Sequence, residues 1–455
     1  MVEAGIFRSY DIRGLVETQL TEETVELIGK AYGTMAGAQK VRRVSVGYDC
    51  RESSPVLSDA LIRGITSTGI DVINLGCVPT PIQYFSLYHL DVDGGIEVTG
   101  SHNPPEYNGF KIAIHKDSLH GDKIQEIREI IEAGEFTTGQ GSSEKFDIFP
   151  AYQEYCAKNI QLGQRKLKVV VDGGNGTAGP FALPVFKEHG VDVIPLYCEM
   201  DATFPNHHPD PTVEANLVDL QREVLANQAD LGIAFDGDGD RIGVVDEKGQ
   251  ILWGDQLLIL FARAILAEEP GATIVGEVKC SQVMYDDIEK HGGNAVMWKT
   301  GHSLIKDQMK KLKAAIAGEM SGHIFFKHRF FGFDDATYAG LRLLEIVSKT
   351  ESPLSELLSD LPKLHSTPEL RVECPEELKF ELVAKVTQFF KDEGHKVIDI
   401  DGARVVFEDG WGLVRCSNTG PILVMRFEAQ NPERLGEIRK YVEDSVQAMR
   451  ERISQ

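Results

Sequence analysis

Apolar runs of strand length alternate with helical patterns along most of this 455-residue chain. Alternation of this kind predicts mixed or parallel β-sheets with helices on their faces. In the first stretch the predicted strands and helices are residues 44–48, 72–75 and 96–98, and residues 22–35 and 57–68. A polar loop at 134–143 separates this stretch from the next.

Two further units repeat the rhythm, and the last part of the chain breaks it. The second has apolar runs at 167–172, 229–235, 242–245 and 251–253, and the third at 273–275, 295–297 and 314–317. Past Pro362, short strands at 396–400, 403–407, 412–415 and 422–427 lie between amphipathic helices at 376–391 and 432–450. Asp-Gly turns at 401–402 and 409–410 are hairpin signals. The sequence therefore predicts three similar α/β units followed by an α+β domain with an antiparallel sheet.

Composition and charge exclude several classes of protein. The chain carries 70 acidic and 47 basic side chains, a formal net charge of −23, and 42% hydrophobic residues. Such a chain folds into several cored domains and lacks the cationic surface that nucleic acids require. No signal peptide or membrane span is visible. Seven cysteines without a C-x-x-C pair argue against a disulfide framework or zinc site and favour a reduced, cytoplasmic protein.

The segment TGSHNPPEYNGFK at 99–111 follows a predicted strand and displays a serine. A loop rich in Gly, Asn and Pro is expected to hold Ser101 out in the open, beside His102 and with Lys111 nearby. Such a serine is a candidate nucleophile or phosphoryl carrier, although it would also suit a tight turn that Ser101 merely caps. The hydrolase motif G-x-S-x-G is not met, because Asn103 stands at its last position.

The sequence DGDGDR at 236–241 directly follows an apolar run. Alternating carboxylates and glycines let the backbone curl so that Asp236, Asp238 and Asp240 converge on a hard cation such as Mg²⁺. An EF-hand is rejected, since Arg241 stands where that loop needs Gly and a strand precedes it. A solvated acidic turn is the alternative.

Two other motifs are interpreted as connections. The segment GNGTAG at 174–179 fits G-x-G-x-x-G, but the next strand ends without the acidic residue that binds ribose, so a plain βα turn is favoured over NAD. The two adjacent histidines of NHHPDP at 206–211 are not expected to bind one ion together.

Three further polar loops are candidate binding segments, with an exposed histidine and an ordinary polar hairpin as the alternatives for the second and the third. Glu319, Ser321 and His323 alternate and are expected on one side of an extended segment, where they suit a polyol. His302 precedes an amphipathic helix and is a candidate proton donor or an exposed histidine. The segment RCSNTGP at 415–421 joins two strands and has the density of donors expected of a phosphate cradle.

Together these loops resemble the α-D-phosphohexomutases, and most closely the bacterial phosphomannomutase/phosphoglucomutase group. The resemblance spans nearly the whole chain, from YDIRG at 10–14 to the Arg415 loop, and its most specific motifs are TGSHNP, DGDGDR and GEMSGH. It implies four domains around a central cleft, three with a shared α/β core. The predicted domains are residues 1–148, 149–252, 253–364 and 365–455.

The resemblance also implies residue roles. Ser101 would be the phosphoserine, and Asp236, Asp238, Asp240 and a phosphoserine oxygen would bind Mg²⁺. Glu319 and Ser321 would hold sugar hydroxyls with support from His323, and Arg415, Ser417, Asn418 and Thr419 would grip the phosphate that is not reacting. The remaining cleft positions are Tyr10, Arg13, His102, Lys111, Arg241, Lys279 and His302, of which Lys111 and His302 are candidates to assist proton transfer.

The implied reaction interconverts hexose 1-phosphate and hexose 6-phosphate, of mannose or glucose, through a hexose 1,6-bisphosphate that reorients in the cleft. Met320 is like the mannose/glucose group, whereas phosphoglucosamine mutases usually carry Gln there, and the aminosugar stays an alternative. A Mg²⁺-dependent sugar phosphatase and a non-catalytic sugar-phosphate binding protein are further alternatives. Sugar phosphates are the expected partners, and a monomer or weak homo-oligomer is the expected state.

Overall fold

The computed structural model describes residues 2–417 and 420–454. Across these residues the strands form four separate sheets in chain order, three mixed and one antiparallel. This confirms the predicted fold class. The domain limits at 148, 252 and 364 stay predictions.

The first domain has a seven-stranded sheet in the order β1-β5-β4-β2-β3-β7, with β6 paired to β5. Its strands are β1 (Ile12–Leu15), β2 (Arg43–Tyr48), β3 (Asp71–Cys77), β4 (Gly94–Val98), β5 (Tyr107–Ile114), β6 (Asp117–Ser118) and β7 (Ser143–Lys145). Its helices are α1 (Glu22–Ala38), α2 (Ser54–Thr66), α3 (Thr80–His89) and α4 (Asp122–Ala133). The predicted loop at 134–143 is loop up to β7, which pairs in parallel with β3.

The second and third domains repeat the centre of this sheet. The second contains α5 (Phe149–Asn159), β8 (Lys168–Asp172), α6 (Gly179–Glu188), β9 (Asp192–Leu196), α7 (Val218–Asn227), β10 (Leu231–Phe235), β11 (Ile242–Asp246) and β12 (Ile251–Leu252). The third contains α8 (Gly254–Glu268), β13 (Thr273–Glu277), α9 (Gln282–Lys290), β14 (Asn294–Trp298), α10 (His302–Leu312), β15 (Ile316–Gly318), β16 (Ile324–Phe326) and α11 (Ala336–Ser348).

Strand order is the same in the three mixed sheets. The shared segments are β5-β4-β2-β3, β11-β10-β8-β9 and β16-β15-β13-β14. In each, three parallel strands are joined by an antiparallel strand that follows the last of them. Every residue of β4, β10 and β15 is buried, as expected of strands covered by helices on both faces.

The fourth domain has an antiparallel sheet in the order β17-β22-β21-β20-β19, with β18 paired to β22. Its elements are β17 (His365–Ser366), β18 (Leu370–Glu373), α12 (Glu376–Asp392), β19 (Lys396–Ile398), β20 (Ala403–Phe407), β21 (Gly410–Cys416), β22 (Ile422–Ala429) and α13 (Pro432–Ser454). The sequence missed β17 and β18, which are short and largely exposed.

Apolar packing joins the first three domains more extensively than it joins the fourth. One core cluster runs from Ile73 on β3 to Leu354, and includes Phe85 of α3 packed on Tyr152 of α5. The fourth domain has its own core and meets the third through a small cluster of Val278, Trp411 and Leu413. Within the described part of the chain, every helix is too short or too polar to cross a membrane.

Glycines bring α1 and α2 into close contact. A Cβ built on Gly64 of α2 would lie 2.3 Å from the carbonyl oxygen of Glu26, and one on Gly29 of α1 would lie 2.4 Å from that of Leu61. Gly37, also on α1, has open space at the same place. The helix pair therefore tolerates no side chain at Gly29 or Gly64.

We expect Gly64→Ala to lower the free energy of unfolding of the first domain by about 1–3 kcal/mol, because the added methyl group must displace backbone. Gly37→Ala is the matched control and should leave stability unchanged or raise it by up to ~1 kcal/mol, since alanine favours the helix. Urea unfolding followed by circular dichroism measures both. Equal effects of the two substitutions would contradict the packing argument.

Candidate active site

Four loops build the site, and three of them occupy equivalent positions in the mixed sheets. In each mixed sheet the connection from the last parallel strand to its antiparallel neighbour carries a predicted motif: the Ser101 loop after β4, the aspartate loop after β10 and the Glu319 loop after β15. The Arg415 loop joins β21 to β22. Because ligands of α/β sheets bind at the carboxyl ends of parallel strands, the first three loops are in the expected place.

The serine loop is held tightly and is buried. Ser101 has a φ of +51°, and its backbone N–H donates to Thr99 Oγ1 at 2.7 Å. Its Oγ lies 3.2 Å from His102 Nδ1 and 3.3 Å from Asp236 Oδ2. The expectation that Ser101 stands in the open is wrong, since it is only 2% exposed. The aspartate loop of the second domain covers it, which places its hydroxyl against a carboxylate and out of bulk water.

Arg51, which the sequence analysis missed, holds the backbone of the serine loop in place. The fully buried guanidinium is paired through Nε with Asp49 at 3.1 Å. Its other nitrogens donate to the carbonyl oxygens of Ser101, Asn103, Pro104 and Tyr107 at 2.6–3.0 Å. Asp49 and Arg51 directly follow β2 at its carboxyl end, the position that singled out Asp236, so the same rule would have found them.

Three carboxylates converge in the aspartate loop. Asp236, Asp238 and Asp240 are fully buried, and one oxygen of each lies within 4.8 Å of the others. Asp236 Oδ1 accepts from the backbone N–H groups of Gly239, Asp240 and Arg241 at 3.0–3.1 Å. The Oδ1 atoms of Asp238 and Asp240 have no hydrogen-bond partner among the residues described. Hard oxygen donors with unsatisfied atoms in a closed loop fit a divalent cation such as Mg²⁺.

Lys111 from β5 supplies the positive charge nearest to these carboxylates. Its Nζ donates to Asp238 Oδ2 at 2.5 Å and to Asp240 Oδ2. Burial acts to lower the pKa of Lys111, but the two aspartates raise it well above its usual value. Burial, followed by the charges of Asp240 and Asp238, raises the pKa of Asp236 well above its usual value. The loop therefore holds more negative charge than its own surroundings balance.

Arg241 and His323 connect the aspartate loop to the Glu319 loop, hereafter the sugar loop. The Arg241 Nε–H donates to His323 Nε2 at 2.9 Å, so the proton of the neutral ring is assigned to Nδ1. That Nδ1 lies 2.9 Å from Asp334 Oδ2 and 3.5 Å from Asp240 Oδ1. Asp240, His323 and Asp334 are near enough to hold a cation themselves, but Lys306 already lies 3.2 Å from Asp334. We infer that the hydrogen bond from Arg241 and the Asp334 carboxylate beside Nδ1 together orient the His323 ring.

The sugar loop is a turn, and the expected extended segment is wrong. Gly322 has a φ of +91°, and its N–H donates to the carbonyl oxygen of Glu319 at 3.0 Å. The Glu319 carboxylate accepts from the backbone N–H of Gly301 at 2.7 Å and from Ser321 Oγ at 3.0 Å. The turn thus still places Glu319 and Ser321 side by side, as a polyol site requires.

Glu277 at the end of β13 is a second residue that the sequence analysis missed. Its fully buried carboxylate accepts from Thr300 Oγ1 at 2.6 Å, and from the backbone N–H groups of Lys279 at 3.0 Å and Met320 at 3.3 Å. Burial raises its pKa. Glu277 therefore links three segments that carry predicted substrate residues. No motif marks it, and only its place at a strand end hints at it.

His302 begins α10, as predicted, and lies between Tyr10 and His323. Its ring centroid is 6.3 Å from that of Tyr10 and 5.8 Å from that of His323. Burial, and then the charge of Lys306, hold the pKa of His302 well below its usual value. The neighbouring Thr300 carbonyl oxygen accepts from Tyr10 OH at 2.9 Å, which brings the first domain to this segment.

Three further predicted site residues, Arg13, His102 and Lys279, lie around the serine loop and the Arg415 loop, hereafter the phosphate loop. Arg13 donates to Asn103 Oδ1 at 2.8 Å, and burial followed by the charge of Arg241 holds the pKa of His102 well below its usual value. Lys279 Nζ lies 2.9 Å from Glu369 Oε2, and the Lys279 charge lowers the pKa of Glu369 to about 2.

Arg415 is nearly buried in the phosphate loop. Its Nε donates to Asp401 Oδ2 at 3.0 Å, and one terminal nitrogen has no partner in the described part of the chain. Lys379 Nζ holds the carbonyl oxygens of Ser417 and Gly420 at 2.7 and 3.1 Å. Asn418 and Thr419 lie outside the described residues. A buried guanidinium with free donor capacity suits a phosphate.

The contacts above join the four loops into one site. Ser101 meets Asp236, Arg241 meets His323, Glu319 meets Gly301, and Asp401 accepts from both the Thr300 N–H and Arg415. The structure thus brings together a buried serine, three convergent carboxylates, the Glu319–Ser321 turn and the Arg415 loop.

Comparisons with known proteins agree with this arrangement. The models of phosphoglucomutase/phosphomannomutase α/β/α domains I, II and III match residues 4–138, 150–249 and 253–365, and the C-terminal domain model matches residues 369–445. The phosphomannomutase/phosphoglucomutase of Pseudomonas aeruginosa is 46% identical over 446 residues, which cover 98% of this chain and 96% of that protein. The phosphoglucomutase of Neisseria gonorrhoeae is 46% identical over 435 residues and 94% of each chain.

A solved structure shows the same likeness in three dimensions. The crystal structure of a phosphoglucomutase/phosphomannomutase family protein from Burkholderia thailandensis matches with a TM-score of 0.94 and 43% identity, over 99% of this chain and 98% of that one. With the family models spanning nearly the whole length, this chain belongs to the phosphoglucomutase/phosphomannomutase family of α-D-phosphohexomutases.

Proposed function

We propose that this protein is a phosphohexomutase that interconverts the 1-phosphate and 6-phosphate of mannose, glucose or both. The observation that carries the proposal is Ser101 Oγ, buried 3.3 Å from Asp236 beside three convergent carboxylates, in a site that also has separate sugar and phosphate loops. The names of the relatives at 46% identity agree with it.

The reaction uses Ser101 as a phosphoryl carrier. The bond between phosphorus and Ser101 Oγ breaks as a bond forms to the free 1- or 6-hydroxyl oxygen of the sugar phosphate. That hydroxyl gives its proton to a basic group of the site, and Ser101 Oγ takes up a proton as it leaves. The resulting hexose 1,6-bisphosphate turns around in the cleft. Its other phosphoryl group is then transferred to Ser101 Oγ, which loses its proton while the freed sugar oxygen gains one, so that the isomeric monophosphate forms and the phosphoserine is restored.

Asp236, Asp238 and Asp240, with an oxygen of phosphorylated Ser101, are the residues that would hold Mg²⁺. When bound there, the ion would neutralise negative charge on the transferring phosphoryl group. Lys111 and Arg241 add positive charge on the same side, since both contact the aspartate loop. Arg51 keeps Ser101 in place through the carbonyl oxygens of its loop.

Three groups are candidates to move the proton of the sugar hydroxyl: Lys111, His302 and His323. Lys111 is bound by two aspartates that favour its charged form, so it suits charge stabilisation better than proton acceptance. In His323 both ring nitrogens are engaged, since Nε2 accepts from Arg241 Nε–H at 2.9 Å and Nδ1 lies 2.9 Å from Asp334 Oδ2. His302 Nδ1 is buried without a hydrogen-bond partner among the described residues, which leaves it available to the proton of the sugar hydroxyl. We therefore favour His302 as the proton-transfer group, with Lys111 as the alternative and His323 as a support of the sugar loop.

The other loops hold the substrate in either orientation. Glu319 and Ser321 present acceptors and a hydroxyl to the sugar ring. Arg415, Ser417, Asn418 and Thr419, with Lys279, hold the phosphate that is not reacting. Burial of Ser101 restricts water at the phosphoserine, which favours transfer to the sugar over hydrolysis.

The same observations support the alternative functions less well. A Mg²⁺-dependent sugar phosphatase has no use for a dedicated loop around Arg415, and a binding protein has no use for a buried serine beside three carboxylates. A phosphoglucosamine mutase differs in the sugar, and Met320 beside Glu319 favours mannose or glucose.

We also propose that the protein acts in the cytoplasm, with hexose 1,6-bisphosphate as activator, as a monomer or weak homo-oligomer.

The first test is conversion of mannose 1-phosphate and glucose 1-phosphate to their 6-phosphates, with Mg²⁺ and a trace of glucose 1,6-bisphosphate. We expect turnover of at least one sugar, and a loss of about 10³-fold or more in kcat for Ser101→Ala and Asp238→Ala, because each removes a reacting or cation-binding group. Ser58→Ala, which removes another buried hydroxyl on α2, is the matched control and should stay active.

Conversion of glucosamine 6-phosphate in place of both hexoses would move the protein to the aminosugar alternative. Release of inorganic phosphate in place of isomerisation would favour the phosphatase. No turnover of any of the three sugars would overturn the proposal.

Removal of divalent cations should abolish turnover. Dialysis against EDTA is expected to remove activity, and added Mg²⁺ to restore it, because the buried carboxylates of Asp236, Asp238 and Asp240 carry more negative charge than nearby groups neutralise. Calorimetric titration of Mg²⁺ into the stripped protein should show one site that Asp238→Ala loses. Full activity after stripping would contradict a metal role for this loop.

His302→Ala should lower kcat by about 10²–10⁴-fold, the range typical of a lost acid or base, with a smaller change in KM. His323→Ala should lower kcat less, and His395→Ala, in the fourth domain away from the site, should have no effect. Steady-state kinetics on folded variants decides the assignment. A larger loss for His323→Ala would transfer the role to His323.

A further inference from the structure

Asp401 connects the phosphate loop to a different domain. It lies in the turn between β19 and β20, and its Oδ2 accepts from Arg415 Nε at 3.0 Å and from the backbone N–H of Thr300 at 3.0 Å. The Arg415 and Asp401 side chains are only 5% and 16% exposed. One carboxylate oxygen thus bridges the phosphate loop of the fourth domain and the segment of the third domain that precedes His302.

The shape of the turn serves this bridge. Gly402 has a φ of +84°, and a Cβ there would lie 2.3 Å from the carbonyl oxygen of Val414 and 2.7 Å from Arg415 Cα. Any other residue would push the turn away from β21 and Asp401 away from Arg415. The Asp-Gly pair that the sequence offers as a hairpin signal is therefore also the support of Arg415.

The bridge orients the Arg415 guanidinium. A carboxylate at Nε fixes the plane of the group, and burial limits its alternative positions. One terminal nitrogen is buried with no partner among the described residues. Arg415 is thus held from one side, with donor capacity left over for an anion.

Thr300, on the other side of the bridge, is a meeting point of three domains. Its carbonyl oxygen accepts from Tyr10 OH of the first domain, its Oγ1 donates to Glu277 of the third, and its N–H donates to Asp401 of the fourth. The next residue, Gly301, donates its N–H to Glu319 of the sugar loop. Displacement of Asp401 would therefore also disturb the position of Thr300 and Gly301, the residues just before His302.

We propose that Asp401 is a positioning residue for sugar-phosphate binding. It aligns Arg415 for the phosphate that is not reacting and ties the segment 300–302 to the same anion-binding loop. This inference rests on the proposed function of the Arg415 loop. It adds that one carboxylate, that of Asp401, couples two features. These are phosphate binding in the fourth domain and the ordering of the segment 300–302 in the third.

Steady-state kinetics with glucose 1-phosphate and glucose 6-phosphate tests the first part. Asp401→Ala should raise KM for both by about 10- to 100-fold, the range for a charge-assisted hydrogen bond, with a smaller fall in kcat, because the grip is made in ground and transition states alike. Asp401→Asn keeps a neutral acceptor and should lie in between. Asp399→Ala, which removes an exposed carboxylate two residues away, is the control and should match the unaltered protein.

A double substitution separates positioning from general damage. If Asp401 acts through Arg415, Asp401→Ala should add little to the KM of Arg415→Ala, because both changes remove the same interaction. Additive effects, or an unchanged KM in Asp401→Ala, would overturn the proposal.

Amide hydrogen exchange tests the second part without any activity. Peptides that cover residues 299–302 should exchange faster in Asp401→Ala than in Asp399→Ala, since the Thr300 N–H loses its acceptor. Equal exchange would overturn the bridge to the third domain. Absence of mutase turnover in the unaltered protein would overturn the proposed function instead, and the exchange result would still decide whether the bridge exists.

Discussion

The balance of charge around three buried carboxylates is the constraint on which the rest of the site depends. Three aspartates in one short loop cannot stay ionised and buried without cations nearby. Lys111 of the first domain contacts Asp238 and Asp240, and Arg241 joins the same loop to His323 of the third. These contacts cross domain boundaries, so the charges of one loop also help to hold three domains together.

A repeated topology explains why the functional loops meet at all. The three mixed sheets share one strand order, and each carries its motif on the connection from the last parallel strand to the antiparallel strand beside it. Equivalent loops of similar domains point the same way relative to their sheets. Packing the domains with these edges together therefore brings the Ser101, aspartate and Glu319 loops into one place, each from a separate rigid support.

The fourth domain is joined to the rest of the protein by a different kind of contact. The first three share one large apolar core, whereas the fourth meets the third through Val278, Trp411 and Leu413 and through buried polar contacts. Arg404 stacks 3.9 Å from the Trp411 ring and donates to the carbonyl oxygens of Val278 and Cys280. Together with Asp401 on Thr300, these bonds bring the phosphate loop to the site with directional contacts in place of a broad apolar surface.

Sequence alone determined the features that depend on neighbours along the chain. The alternation of strands and helices, the curl of DGDGDR, the place of His302 at a helix start and the Asp401-Gly402 turn follow from local pattern, and the structure agrees with each. Only tertiary structure decided that Ser101 is buried, that the segment 319–323 turns, and that Arg51, Glu277 and Asp401 support the loops. Lys111 and Asp238 are 127 positions apart, and Tyr10 and Thr300 are 290 apart. Contacts at such separations depend on how whole domains pack, and no spacing of residues along the chain records that.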